Sequence, residues 1–380
     1  MRDLLEAWAD IEAVDHHCHP LWRFTRPVTA ADLRMLFTEA LDGAMARHVP
    51  STAVYRDALR RIAQELNCAP TEEAILRERK GREPAAHAES LLRRSRTGTM
   101  LLDHGFASSE TFSIAEHAEA IPVQQREIVR LEVLAERRLG GVRSVDEWFA
   151  AVRSSLRQAA EAGAAGVKTI AAYRAGLRLR RHAAGETAAD FMRLKERAQR
   201  GEPVRLSGAP LVHGLLFEAA LECRDQGLPL QVHCGFGDPD EDLAEASPLG
   251  LRPLFTDPLY EGLKVVLLHC YPFHREAAYL CAVFEGVHMD LSLTLPIAGL
   301  DGGRAMREAL GLAPWSKLLY ASDASRLPEY FLVAAAVHRE ALAAAFQELV
   351  ERRVLTQDEA IDAGSRVLAG NARELYRLSG

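Results

Sequence analysis

The sequence predicts an α/β chain folded as a (β/α)8 TIM barrel, and three observations predict it. Short apolar, often β-branched runs recur along its 380 residues. Amphipathic helical stretches separate most of these runs. No Asn-Gly hairpin signal joins any neighbouring pair, so the strands are expected to be parallel with helical crossovers. A doubly wound sheet would need a glycine-rich phosphate fingerprint after its first strand, and HHCHPLW stands there instead.

The first run is IEAVDHHCHP at 11–20, where Ile11, Ala13 and Val14 lead into Asp15, His16, His17, Cys18 and His19 before a proline stops the strand. From 21 to 96 the apolar spacing is helical (Leu33, Leu36, Phe37, Leu41; Tyr55, Leu59, Ile62, Leu66), which reads as a helical insertion after strand one, serving as a lid or an oligomer contact. TGTMLLDHGF at 97–106 reads as the second strand, and the alternating stretch 127–134 as the third, with helix as the alternative there. A helix at 144–162, capped by Ser144, delivers the chain to the buried strand AAGVKTIAA at 164–172. A helix at 212–226, closed by Gly227, precedes PLQVH at 229–233. LKVVLLH at 263–269, VHMDL at 287–291 and KLLY at 317–320 complete eight strand candidates, and long helices at 329–352 and 357–378 end the chain. The whole of 1–380 reads as one domain.

Composition is that of an ordinary globular protein, 48% hydrophobic and 26% charged. A net charge of −7 with both signs interspersed gives no reason to expect a nucleic acid or an anionic membrane as partner. The arginine-rich stretches 77–96 and 174–200 read as solvated helix faces. Six scattered cysteines without a CxxC suggest neither a disulfide framework nor a zinc ribbon. The opening MRDLLEAWADIEA has no long apolar run, so neither a signal peptide nor a membrane anchor is expected there, and a cytoplasmic location follows as the default.

In an extended chain alternate side chains share a face, so His17 and His19 point together while Cys18 turns away. With 14 histidines in the chain, a His-x-His arises by chance about half a time, and the pair decides nothing alone. A barrel, however, brings its C-terminal strand ends to one mouth. Those ends carry His17, His19, Lys168, His233, His269 and Asp323, all metal-ligand or acid–base types. Imidazoles with one carboxylate suit zinc, with Mn, Fe or Co as alternatives, in a centre open to water, whose pKa the metal lowers to about 7. Asp323 is then a ligand and the proton carrier, and His269 a ligand or a hydrogen-bond donor to the developing oxyanion. Lys168 reads as a carboxylated lysine bridging two metals, a substrate contact or a plain strand-end lysine. Cys18, Cys234 and Cys270, each next to a proposed ligand, read as small buried spacers.

With these residues in hand the chain resembles the amidohydrolase superfamily, in its amidohydrolase-2 branch of metal-dependent TIM-barrel hydrolases. It is most similar to the amidohydrolase domain that accompanies glutamine-synthetase-like domains in FluG and nodulin-like proteins. The resemblance is carried by VDHHCH at 14–19, GVKTIAAYRAGL at 166–177, LQVHCGFGD at 230–238, VVLLHCYPFHREAAYL at 265–280, YASDASRLPEYF at 320–331 and GNARELYRL at 370–378. It implies metal ligation by His17, His19, His233 and Asp323, a strand-six role for His269, and hydrolysis of C–N or C–O bonds, with decarboxylation or isomerisation in some members. By analogy it implies a γ-glutamyl amide substrate and a functional link to a glutamine-synthetase-like ligase. Ser325 and Arg326 after Asp323 depart from the expected pattern. Candidates for substrate contact are Trp22, Arg23, Tyr173, Arg174, Tyr271 and Arg326 on the loops after the strands, an arginine there offering a two-pronged grip on a carboxylate. A homo-oligomer and a small-molecule substrate are the expected partners. A barrel that has lost its chemistry and serves as a binding or assembly module is the remaining alternative.

Overall fold

The computed structural model describes residues 1–106 and 108–378. They fall into two compact units, Met1–Gln125 with Leu291–Gly380, and Arg126–Asp290. Among the described residues there are seven strands, and every pairing described below is parallel and joins neighbours in sequence.

In the first unit β1 (Ala13–Cys18), buried along its whole length, pairs with β2 (Thr97–Asp103) through Ala13↔Thr97 and Val14↔Thr99, with a register irregularity between Asp15 and Cys18. The eighth strand expected at 317–320 is not a strand. Trp315–Lys317 is a 3-10 turn, and the chain beyond it follows β1 through separated backbone bonds: His16 N–H to Tyr320 C=O (3.3 Å), Asp323 N–H to His17 C=O (3.0 Å) and His19 N–H to Ala324 C=O (2.8 Å). A regular ladder is broken by Asp323 itself, whose φ of 53° takes it out of extended backbone. The Asp15 carboxylate replaces ladder bonds by accepting the Ser322 N–H (2.9 Å) and hydroxyl (2.5 Å).

Between β1 and β2 the chain is helical, as its spacing predicts, at Ala30–Arg34, Ala53–Leu66, Glu72–Lys80 and Pro84–Ser95. Thr29, Thr52 and Thr71 accept backbone N–H groups at the first three helix starts, and Asn67 ends the second in the left-handed region at φ 55°. Tyr55, Leu59, Ile62 and Leu66 are buried on one face, whereas Leu41, placed in the same apolar pattern, is 62% exposed.

In the second unit β3 (Gln124–Arg130), β4 (Gly166–Thr169), β5 (Leu230–Cys234), β6 (Val265–His269) and β7 (Val287–Met289) pair in order, for instance Arg130↔Lys168, Lys168↔Gln231 and Val232↔Leu267. The third strand lies three residues earlier than the expected 127–134, because helix Leu131–Arg137 begins where alternation seemed to continue. That turn of helix buries Glu132, whose Oε1 accepts the Thr169 hydroxyl (2.6 Å) and the Ile170 N–H (3.0 Å). Ser144 caps helix Val145–Glu161, and Gly227 (φ 64°) closes helix Ala209–Gln226, both as predicted. No described helix is long and apolar enough to cross a membrane.

Candidate functional site

Among the described residues, the first unit brings together the ligand-type side chains His17, His19, Asp103 and Asp323. His17, in β1, is fully buried, and His19, just past its end, is nearly so. Their Nε2 atoms lie 3.1 and 3.2 Å from the same oxygen, Oδ1 of Asp323. His19 Nδ1 sits 2.9 Å from the Asp103 carbonyl. A carbonyl only accepts, so Nδ1 carries the proton of the neutral ring and Nε2 presents its lone pair. One donor atom each from His17, His19 and Asp103 also lie within 4.8 Å of one another. Two imidazole nitrogens converging on one carboxylate oxygen are a donor set of the kind a divalent metal takes, so these residues fit the metal that the sequence implies.

The backbone holds Asp323 in place at a cost. A non-glycine residue in the left-handed region loses about 1–2 kcal/mol, and Asp323 (φ 53°) and Arg326 (φ 68°) both sit there. The Asp15–Ser322 bonds and the Ala324 N–H to the Ser322 hydroxyl (2.9 Å) pin the turn that carries the aspartate. Burial pushes the Asp15 carboxyl up to about 7.

The second unit gathers a different set. His233, in β5, has Nε2 3.0 Å from Oε2 of Glu241, and both side chains are almost fully buried. The His233 ring lies 4.5 Å from that of Tyr173 and 4.6 Å from that of His269. His269 ends β6 with φ 64°, followed by Cys270 at φ 66°, and its N–H donates to Asp290 Oδ1 (2.8 Å). Two glycines make room. Gly235 has φ 81°, and a Cβ there would lie 2.3 Å from the Tyr271 carbonyl oxygen; at Gly237 a Cβ would lie 1.8 Å from the Tyr173 hydroxyl and 2.8 Å from Glu241 Oε2. Lys168 is buried in β4, in register between Arg130 and Gln231.

The predicted substrate contacts divide likewise. In the first unit Trp22, Arg23 and Arg326 line one cleft with Arg26 and Arg79. The Arg26 guanidinium stands 4.1 Å from the Trp22 ring centroid and that of Arg326 5.9 Å. Arg23 is already committed, to Glu116 (2.6 Å) and the Ser109 carbonyl (2.6 Å). In the second unit Tyr173 and Arg174 occupy the short helix Ala171–Ala175, and Tyr271 stacks parallel to His274 at 6.1 Å. Cys18, Cys234 and Cys270 are buried, with thiols pushed up by burial, as spacers should be.

Sequence reasoning overlooked Asp103 and Glu241. Asp103 ends β2, a position that the strand-end argument reaches without giving it a role. Glu241 lies in DPDEDL at 238–243, among several carboxylates with no periodicity to single one out.

The model of the family described as Amidohydrolase matches residues 14–378. Protein fluG of Emericella nidulans is 27% identical over 398 residues, covering 96% of this chain and 46% of its own length. The chain thus spans about half the length of that curated relative. A Lactobacillus casei protein described as a metal-dependent hydrolase has a solved structure that superposes with a TM-score of 0.88 at 30% identity, over 98% of this chain and 97% of that one. A glucuronate isomerase from Caulobacter crescentus (TM-score 0.69, 16% identity, 100% and 94% covered) shares the fold.

Proposed function

Since the chain belongs to the amidohydrolase family, we propose that it is a metal-dependent hydrolase cleaving an amide C–N bond of a small, polar, carboxylate-bearing molecule, with a γ-glutamyl amide as the specific candidate. The observation that carries this reading is the convergence of His17 Nε2 and His19 Nε2 on Asp323 Oδ1 at 3.1 and 3.2 Å. His17, His19, His233 and Asp323 would hold the metal, zinc first and Mn, Fe or Co otherwise, with Lys168 as a further ligand if the centre is binuclear. A divalent metal there supplies Lewis acidity, which makes water a competent nucleophile near neutral pH and polarises the scissile carbonyl.

The remaining steps belong to the side chains. Asp323 accepts the proton of the attacking water and returns it to the departing amine. His269 donates to the oxyanion. Asp103 fixes the His19 tautomer through its carbonyl, and Asp15 holds the turn that aims Asp323. Trp22, Arg23, Tyr173, Arg174, Tyr271 and Arg326 are the residues from which substrate contacts are drawn. As part of the same proposal the chain is one hydrolase domain of eight-strand barrel type, its eighth position taken by 318–324, and it acts in the cytoplasm as a homo-oligomer functionally linked to a glutamine-synthetase-like ligase.

Mass spectrometry of purified protein with a panel of γ-glutamyl amides tests the reaction. The expected products are glutamate and the free amine, a gain of one water. Release of CO₂, or product of unchanged mass from any substrate turned over, would replace hydrolysis with decarboxylation or isomerisation.

A further inference from the structure

We infer that Arg174 is the anchor for the substrate's carboxylate, with Arg130 and Arg205 supplying the positive field around it. Arg174 follows β4 in the helix Ala171–Ala175. Its Nε and Nη1 are buried without an acceptor, while the residue as a whole is only half-buried and so within reach of a ligand. A guanidinium has five N–H donors and no way to neutralise itself at ordinary pH, so buried donors without acceptors are expensive.

The groups nearest in charge do not supply the missing acceptor. Its electrostatic neighbours are Arg205, Glu136, Glu132 and Arg130. Glu136 Oε1 accepts the Leu206 N–H (2.7 Å), and Glu132 Oε1 accepts from Thr169 and Ile170. Glu132 Oε2 also has no hydrogen-bond partner, so it does not accept from Arg174. Arg205 is paired with Asp240 at 2.8 Å. Burial, and next the charge of Arg205, push the Arg174 guanidinium down from its ordinary value.

The rival cleft around Trp22 lacks this feature. There Arg23, Arg26 and Arg79 already hold Glu116, Asp32 and Glu329, and Arg326 is exposed. A carboxylate, planar and rich in lone pairs, matches the geometry of a guanidinium, as a neutral amide does not. The inference rests on the hydrolase reading only in naming the ligand a substrate.

Calorimetric titration of the full chain with glutarate, its diamide glutaramide and inorganic phosphate tests it without any turnover. Wild type and Arg181→Gln, an exposed arginine paired with Asp257, should bind glutarate alike. Arg174→Gln should weaken glutarate binding at least about tenfold, and Arg174→Lys should recover part of it. Glutaramide should bind to none. Equal glutarate binding by wild type and Arg174→Gln, binding by neither, or a preference for phosphate would overturn the assignment. Arg174→Lys keeps the charge and the fold and so reads the site even if the glutamine variant folds poorly. The hydrolase reading fails separately, on the products of turnover.

Discussion

The two units hold their histidines in different ways. In the first, His17 and His19 sit on and just beyond one strand and meet a carboxylate whose main chain is bonded to that same strand, Asp323 N–H to His17 C=O at 3.0 Å. In the second, His233 meets Glu241, which lies eight residues further along the same chain on a loop, and His269 is aimed by two consecutive left-handed residues. Backbone bonds from β1 to 320–324 place the first set. The second set depends on a loop finding its place, with Gly235 and Gly237 as the positions that let it approach. The first is therefore the set expected to tolerate no change, and the second the set expected to be tuned.

Breaking the first set should have the largest effect. Asp323→Asn keeps the shape of the side chain but removes the charge shared by two imidazoles, and kcat should fall by about 10²–10⁴-fold, with the far-UV spectrum unchanged. Activity close to wild type would remove Asp323 from the mechanism. Glu241→Gln sharpens the contrast, because it leaves His233 its hydrogen-bond partner without the charge; a loss of about 10–100-fold in activity or metal affinity is expected. Equal damage from the two substitutions would abolish the distinction between the units.

Smaller effects probe what holds each set. Ser322→Ala leaves Asp15 without its hydroxyl partner, and denaturant titration should show about 1–3 kcal/mol of lost stability. His213, in the second unit, is pushed down to about 4 by burial. The unfolded chain takes up that proton near pH 6.5, while the folded one refuses it until about pH 4. Stability should therefore fall as pH drops through this window, and His213→Gln should flatten the decline. An unchanged slope in the variant would assign the acid sensitivity elsewhere.

How much of this was legible in the sequence follows from the same contrast. Strand ends were readable, because a β-branched run that stops at a histidine or aspartate leaves a signal in four or five residues, as VVLLH and LQVH do. The helix start at Ser144 was readable from a side chain that caps. The eighth strand was read as KLLY, yet only its last residue, Tyr320, bonds to β1 and the other bonds come from Asp323 and Ala324, and nothing local announces that Asp323 will adopt a positive φ. Leu41 fitted an apolar pattern and is exposed, since periodicity specifies a face without specifying what covers it. Glu241 and the orphaned nitrogens of Arg174 depend on tertiary approach alone, so no spacing rule could have reached them.

The central claim is that His17, His19 and Asp323 are metal ligands, and metal content tests it most directly. Elemental analysis of protein purified without chelators should give about one divalent metal per chain, or about two if Lys168 bridges a pair, and a His17→Ala, His19→Ala double variant that remains folded should lose it. Wild-type protein without metal, or a folded double variant that retains its full complement, would contradict the account.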